Sequence, residues 1–381
     1  PSSAASDVYK RQVIICGTTF GQFYMDAISR LKDIFEFAGI FAGGSKRSVM
    51  CAESYGVPLY TKFEDIPSDI DIACVVIRSG ALGGKGTEIA LKFMERGVNV
   101  IQEQPVHYKD IAVCIKSAMK NKVFFKTGDL YIYLPEIKRL IDAVKEIEKQ
   151  QKILYASFSC CPQVSYPMID ILEKLLPSIK PFHVQNVLDT EGPFQTASAV
   201  VGKIPVIINY DNEIDPDDPD NFMHLLHSIV IGFECGHLTL VDTFGPLVWT
   251  ARLHSPGEGY SKEISERIYP KYMKDKISTV LGDYSDHTYE DMVREFFPCA
   301  VARDLVNMYD YIANEENISK VCQREIDVST VWHKMTQAFG FAKLKRGCVH
   351  QPIPSEIVVN AALKQKYDCL LYTSPSPRDL S

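Results

Sequence analysis

Three short stretches hold the residue types from which chemistry can be built. The first, Gly17-Thr18-Thr19-Phe20-Gly21-Gln22, joins an apolar run to a helical pattern. A glycine there allows a tight turn, small neighbours let backbone approach a pyrophosphate, and the helix N-terminus adds N–H donors and the positive end of its dipole. Thr19 stands at the usual second-glycine position and Gln22 at the third, so the G-x-G-x-x-G pattern is incomplete. A ligand-free strand–helix turn is the plain alternative, and the strand–helix alternation around it favours the dinucleotide reading. The second stretch, Gly43-Gly44-Ser45-Lys46-Arg47-Ser48, falls where an NAD enzyme usually places an Asp or Glu for the ribose hydroxyls. It has no carboxylate; Lys46 and Arg47 bring positive charge, and Ser45 and Ser48 bring hydroxyl donors. That set suits a 2′-phosphate better than a hydroxyl pair, so the expected cofactor is NADP, with a solvated basic turn as the alternative. The third comprises two loops at strand C-termini, where ligands bind in open α/β sheets: one opening with Arg78-Ser79, the other Glu103-Gln104-Pro105-Val106-His107.

These loops need a scaffold, and the hydrophobic pattern describes one. Apolar runs at 12–16, 37–42, 71–77, 98–102 and 123–126 alternate with helical spacings at 20–31, 48–55, 87–96 and 110–120. Continuous apolar strands separated by helices predict a doubly wound parallel sheet, a Rossmann domain over 12–128. The pattern then changes. A charged helix over 134–151, with Pro135 in its first turn, precedes strand-like stretches at 153–160, 183–188, 196–210, 236–242 and 247–253, joined by turns rather than regular helices. The region from about 261 to 340 reads as mainly helical. Residues 129–368 therefore read as an α+β domain with a mainly antiparallel open sheet, its outer face a surface for a homodimer. Residues 1–11 and 369–381 are Ser/Pro-rich, lack a packing pattern and are expected to be flanks foreign to the fold.

Composition narrows the function. The 381 residues are 46% hydrophobic and 23% charged, with a net charge of −7. That balance fits a globular protein and argues against nucleic-acid or anionic-membrane binding. No apolar run approaches the ~20 residues of a membrane helix. The 11 cysteines form no C-x-x-C pair, which predicts reduced thiols in a cytoplasmic protein rather than a zinc site. The acidic loop over 215–221 lacks the glycine of a calcium loop and reads as a turn with a helix cap at Asn221. His224 and His227, three apart, read as one face of a helix, as caps or pocket residues without a full metal set. Cys160 and Cys161 read as small buried residues.

A family resemblance then appears. Glu103-Gln104-Pro105 resembles the E-K-P stretch of the Gfo/Idh/MocA oxidoreductases, and the two-domain layout is similar. More narrowly, GTTFGQFYMDAI (17–28), GSKRS (44–48), DIDIACVVIRSGALGGKGTE (69–88), QEQPVH (102–107), YIYLPEIKRLI (131–141), DPDDPDNFMHLLH (215–227) and LTLVDTFGPLVW (238–249) resemble thiazolinyl imine reductases of siderophore biosynthesis. The resemblance runs from about residue 13 to 253. It implies NADPH-dependent reduction of a thiazoline C=N bond to a thiazolidine, on an intermediate tethered to a carrier protein of a nonribosomal peptide synthetase. Hydride goes to the imine carbon, and an acid protonates the ring nitrogen. Family members commonly have His, and the wider superfamily Lys, where this chain has Gln104, which can donate a hydrogen bond but not a proton. The Tyr of Y-x-x-L-P, here Tyr131, is the other implied donor; His107 is a third, also readable as structural. The competing activities are a sugar or small-alcohol dehydrogenase, for which the missing lysine counts against, and a non-catalytic NADP-binding scaffold.

Overall fold

The computed structural model describes residues 9–77, 84–252, 276–283, 287–347 and 353–363; Arg78 and Ser79 lie outside them. The chain opens with β1 (Arg11–Cys16), α1 (Gly21–Arg30), β2 (Phe35–Phe41), α2 (Lys46–Tyr55) and β3 (Leu59–Tyr60). It continues through β4 (Ile72–Val75), α3 (Lys85–Glu95), β5 (Asn99–Gln102), α4 (Tyr108–Asn121) and β6 (Phe125–Thr127). The six strands form one sheet in the order β3-β2-β1-β4-β5-β6, every pair parallel. Burial on both faces explains their unbroken apolar sequences: Val13–Cys16 and all of β4 have no exposed surface. Chain order reverses between β1 and β4, so the crevice at their C-terminal ends receives the loops that follow β1, β2, β5 and β6. Arg11, expected in a flank, begins β1 because its guanidinium reaches Asp71 at 2.9 Å.

The second half supplies α5 (Pro135–Glu148), β7 (Tyr155–Cys160), α6 (Ser165–Leu175), β8 (Phe182–Asp189), β9 (Phe194–Val201) and β10 (Ile204–Asp211). After them come β11 (Glu213–Ile214), β12 (His227–Phe233), β13 (Gly236–Leu240), β14 (Leu247–Ala251) and β15 (Ser278–Val280). An eight-stranded sheet runs β15-β14-β13-β12-β7-β10-β9-β8. Only β7 and β10 pair parallel within it; the other pairs are antiparallel. Its inner face packs under α5 at one end and α9 (Ile318–Phe339) at the other, with α6 between them, while α7 (Tyr289–Asp291) continues through the helical run Met292–Phe296 into α8 (Phe297–Ala313), which packs on α1 and on the turn Leu130–Tyr133. A short β16 (Lys343–Leu344) pairs with β11. No described helix is long and apolar enough to cross a membrane, and the nine described cysteines are free thiols.

Three elements differ from the sequence reading. The stretch 196–210 is a hairpin, β9 and β10, turning at Gly202 with φ +62°. Helix α6 was hidden because Ser165–Leu172 are all buried, which erases the polar stripe that reveals a helical period. It carries the crossover that lets β7 and β10 run parallel. His227 begins a strand rather than sharing a helix with His224, and Asn221 ends a single 3-10 turn rather than capping a helix. The two histidines sat at helical spacing by coincidence, since a buried central strand and a buried helix face look alike over a few residues.

Candidate active site

The glycine loop is tight because nothing else fits. Gly17 has φ +99°, and a Cβ there would lie 2.4 Å from the Val76 carbonyl oxygen. Gln22, at the third-glycine position, donates to the carbonyls of Thr18 (3.1 Å) and Thr19 (3.2 Å), closing the loop onto the first turn of α1. No side chain caps α1 and no acid sits in its first turn, so its leading N–H groups remain open to an anion. Phe20 precedes the helix and packs on Phe23 and on Phe297 at the head of α8. A pyrophosphate fits this glycine-walled, cation-like helix end.

The adenosine end is equally plain. Ser45 caps α2 by accepting from the Ser48 N–H (3.3 Å), and Gly44 before it has φ +77°. Ser48 is buried and its hydroxyl donates to the Ser45 carbonyl (2.8 Å), so it shapes the turn from inside. Ser45, Lys46 and Arg47 are exposed, and Arg47 reaches back to the Thr19 hydroxyl at 3.2 Å. One cation thus bridges the two loops, and the first turn of α2 has no acid.

The loops after β5 and β6 meet beside the crevice. Glu103 accepts from the Tyr24 phenol at 2.6 Å, while Gln104 Nε2 donates to the Gly128 carbonyl at 2.9 Å. A Cβ on Gly128 would fall 2.6 Å from the Tyr24 hydroxyl and 3.1 Å from Glu103 Oε2. Burial is the main cause that pushes the Glu103 carboxyl up to about 7; the Tyr24 hydrogen bond opposes it. The Gln104 Oε1 atom is buried with no hydrogen-bond partner. A buried orphan acceptor costs about 1–3 kcal/mol, so it marks a place where another donor belongs.

Tyr131 stands three residues beyond Gly128, in the 3-10 turn Leu130–Tyr133. Its ring lies edge-on to His227 (5.1 Å, 81°) and to Phe297 (6.3 Å), the residue that also touches Phe20 of the glycine loop. Burial first, then Cys161 and Glu103, push the phenol well above its ordinary value, so it stays protonated. Its hydroxyl has no hydrogen-bond partner among the described residues. His227 is fully buried between the Thr243 hydroxyl and the Val164 carbonyl, each at 2.9 Å. Burial lowers it to about 4, so it is neutral: Nε2–H donates to Val164 and Nδ1 accepts from Thr243. It is a fixed wall for the tyrosine.

His107 lies elsewhere. It caps α4, its Nδ1 accepts from the Lys109 N–H at 3.3 Å, and its ring packs on Tyr108 and on His333 of α9. The structure therefore gathers Gly17, Thr18, Thr19, Phe20, Gly21, Ser45, Lys46 and Arg47 around one crevice. Glu103 and Gln104 hold Gly128 from within the parallel-sheet half, Tyr131 faces Phe297 and His227 of the second half, and His107 lies at a helix cap. Among the described residues no cluster of His, Cys, Asp and Glu could hold a metal.

Sequence reading missed what lies beneath. Lys126 is 1% exposed and ion-paired to Asp129 (3.2 Å) and to Asp304 of α8. Arg324 of α9 pairs with Asp129 (3.2 Å), Asp170 (3.0 Å), Glu173 (3.0 Å) and Glu325 (3.2 Å). Burial raises Asp304, Glu325 and Asp170; for Asp129 burial is outweighed by Arg324 and Lys126, which hold it below the usual carboxylate range. The only sequence signal was an acid on the apolar face of a helix, such as Asp304, three and four residues from Val301, Ala300 and Met308.

Comparison with known proteins follows the same division. Residues 11–128 match the family model of the Gfo/Idh/MocA oxidoreductases, NAD-binding Rossmann fold. Residues 151–250 match that of the thiazolinyl imine reductase Irp3-like C-terminal domain. No curated protein matches in sequence. Among solved structures, a dehydrogenase from Chromobacterium violaceum is similar with TM-score 0.62 at 11% identity, over 87% of this chain and 96% of that one. UDP-N-acetylglucosamine 3-dehydrogenase from Acidithiobacillus ferrooxidans gives 0.60 at 12% identity, over 87% and 98%. Biliverdin reductase from Synechocystis, solved with biliverdin and NADP+, gives 0.58 at 12% identity, over 86% and 98%. At these identities the likeness is one of fold.

Proposed function

Since the chain belongs to the Gfo/Idh/MocA oxidoreductases and carries an Irp3-like C-terminal domain, we propose that it reduces a thiazoline C=N bond to a thiazolidine with NADPH. The substrate is a peptide intermediate held on a carrier protein of a nonribosomal peptide synthetase, in siderophore biosynthesis. The loop from Gly17 to Gly21 and the start of α1 hold the pyrophosphate; Ser45, Lys46 and Arg47 hold the 2′-phosphate, and Arg47 is already drawn toward the glycine loop. A bound dihydronicotinamide supplies the hydride.

The protein's own work is to bind, orient and protonate. In that reduction the ring carbon would gain a C–H bond, the C=N π bond would open and the ring nitrogen would gain an N–H, the hydride's two electrons coming from a bound dihydronicotinamide. Tyr131 gives the proton. As the nitrogen becomes electron-rich it attracts a phenolic O–H more strongly than the neutral imine does, and that difference lowers the barrier. The observation that carries this reading is the Tyr131 hydroxyl, held protonated and without a hydrogen-bond partner among the described residues, on a wall shared with the glycine-loop aromatic Phe20. Gln104 keeps a hydrogen-bonding role: its amide N–H is committed to Gly128, and its buried Oε1 awaits a donor. We assign His107 to capping and leave proton delivery to Tyr131. The sugar or alcohol alternative lacks the lysine that would take a hydroxyl proton, since that position is Gln104.

The test is loss of NADPH absorbance with a carrier-tethered thiazoline. Turnover with that substrate, and not with sugars or small alcohols, supports the reading. Cofactor binding without turnover would point to the scaffold role. We also infer a homodimer through the outer face of the eight-stranded sheet. That face presents Tyr155, Ile207, Leu188 and Val280, each at least 44% exposed.

A further inference from the structure

The ion network under the site lies within a protein core, and stability alone does not account for it. Replacing a buried ion pair by apolar residues of similar volume is often neutral or stabilising, because desolvation offsets the attraction. What such a network adds is direction: charged hydrogen bonds fix atoms at set distances and angles, which apolar packing does not. Here the directions converge on four consecutive residues. Glu325 of α9 accepts from the Thr127 N–H at 2.9 Å and also from its hydroxyl. Asp304 of α8 accepts from the Asp129 N–H at 3.2 Å and from Lys126. Arg324 reaches both oxygens of Asp129, at 3.3 and 3.2 Å. Between these anchors lies Gly128, whose carbonyl takes the Gln104 amide, and three residues on stands Tyr131. Helix α9 also grips the other loop: the Ser329 hydroxyl donates to the Val106 carbonyl at 2.7 Å, two residues past Gln104.

We propose that Arg324 and Glu325 of α9, with Asp304 of α8, are positioning residues that set Tyr131 and the Gly128 carbonyl for the reaction. The proposal rests on the donor role given to Tyr131 above. Helices α8 and α9 come from the far end of the chain, so the register of the two site loops is held by distant residues, in addition to the direct ring contact of Phe297 with Tyr131. The arrangement places the control of proton delivery in the C-terminal helices, while hydride delivery is placed by the Rossmann loops.

The experiment uses the full chain with 3-fluorotyrosine at position 131, read by fluorine NMR, together with steady-state kinetics on the carrier-tethered thiazoline. In the unaltered protein the label should give one resonance. In Arg324→Lys, which keeps charge but loses the fork, it should shift or split. The same change should lower kcat by ~10-fold or more, with KM and NADPH affinity within about twofold. Placed in a Tyr131→Phe background it should change kcat less than about twofold, because the group it positions is gone. Thr127→Val, which removes only the hydroxyl donated to Glu325, is the gentler second variant and should show the same pattern if Arg324→Lys does not fold. An unchanged resonance in a folded variant overturns the proposal, as does a kcat loss that persists undiminished beside Tyr131→Phe. Wild-type turnover of Tyr131→Phe with the resonance still split would instead refute the donor role while leaving the positioning intact.

Discussion

Tyr131 is where the chemistry concentrates. Its ring is held edge-on by a neutral, fully bonded histidine, and its hydroxyl has no described partner. Removing that oxygen alone, Tyr131→Phe, should leave folding and NADPH binding nearly unchanged and lower turnover by ~10²-fold or more. Stopped-flow oxidation of NADPH would reveal this, and a wild-type rate would dismiss Tyr131 from the mechanism. Glu103 makes a second prediction at this scale. Its folded value of about 7 lies above its ordinary 4.5. A raised acid contributes stability that is present below pH 4.5 and is lost as pH rises through 7. Glu103→Gln still accepts from Tyr24, so it should match the parent near pH 4.5 and exceed it at pH 8 by up to about 3 kcal/mol. Denaturant unfolding at the two pH values measures this, and an equal gap at both would contradict it. Tyr131 was legible in the sequence only because Y-x-x-L-P resembles a family pattern. The partner of Glu103 was not legible, since Tyr24 lies 79 residues away and only the folded sheet brings them together.

Among elements, the turn into α2 tests cofactor choice. It offers Ser45, Lys46 and Arg47 outward, holds Ser48 inward and has no carboxylate in its first turn. Arg47→Ala should weaken NADPH by about 1–3 kcal/mol, the worth of a charge-assisted hydrogen bond, and barely change NADH. Titrating both cofactors decides it: equal losses would mean that Arg47 does not read the phosphate. The Rossmann elements were legible because each strand is apolar on both faces and each helix on one. Where their ends shifted, they did so by one or two residues, as at Ser45, whose cap starts α2 at Lys46 rather than at 48. The elements that escaped were those whose surroundings hide the period: α6, buried nearly all round, and β12, which starts at a buried histidine.

At the scale of the whole molecule, two sheets share one crevice. The parallel sheet brings the cofactor loops and the open sheet brings the wall behind Tyr131, while α8 and α9 tie the two together. This division into a Rossmann sheet and an open, mainly antiparallel sheet was readable from the change of pattern near residue 128. The buried ion network was not, because its members are spread from 126 to 325 and only tertiary packing joins them. The outer face of the open sheet predicts an assembly. Along the paired positions Ile207, Ser157, Val230, Thr239, Val248 and Val280, one row crosses six strands without a charge. Light scattering at micromolar concentration should therefore give a dimer mass, and Ile207→Lys should yield a folded monomer; a parent monomer would rule the interface out. The central claim is the transfer of hydride from NADPH to a thiazoline carbon. Its most direct test is a single turnover with NADPH deuterated at C4 and a carrier-tethered thiazoline, read by mass spectrometry of the released product. With the transferred face labelled, the account predicts one deuterium at the former imine carbon and a two-hydrogen gain overall. An unreduced thiazoline with NADPH demonstrably bound would contradict it.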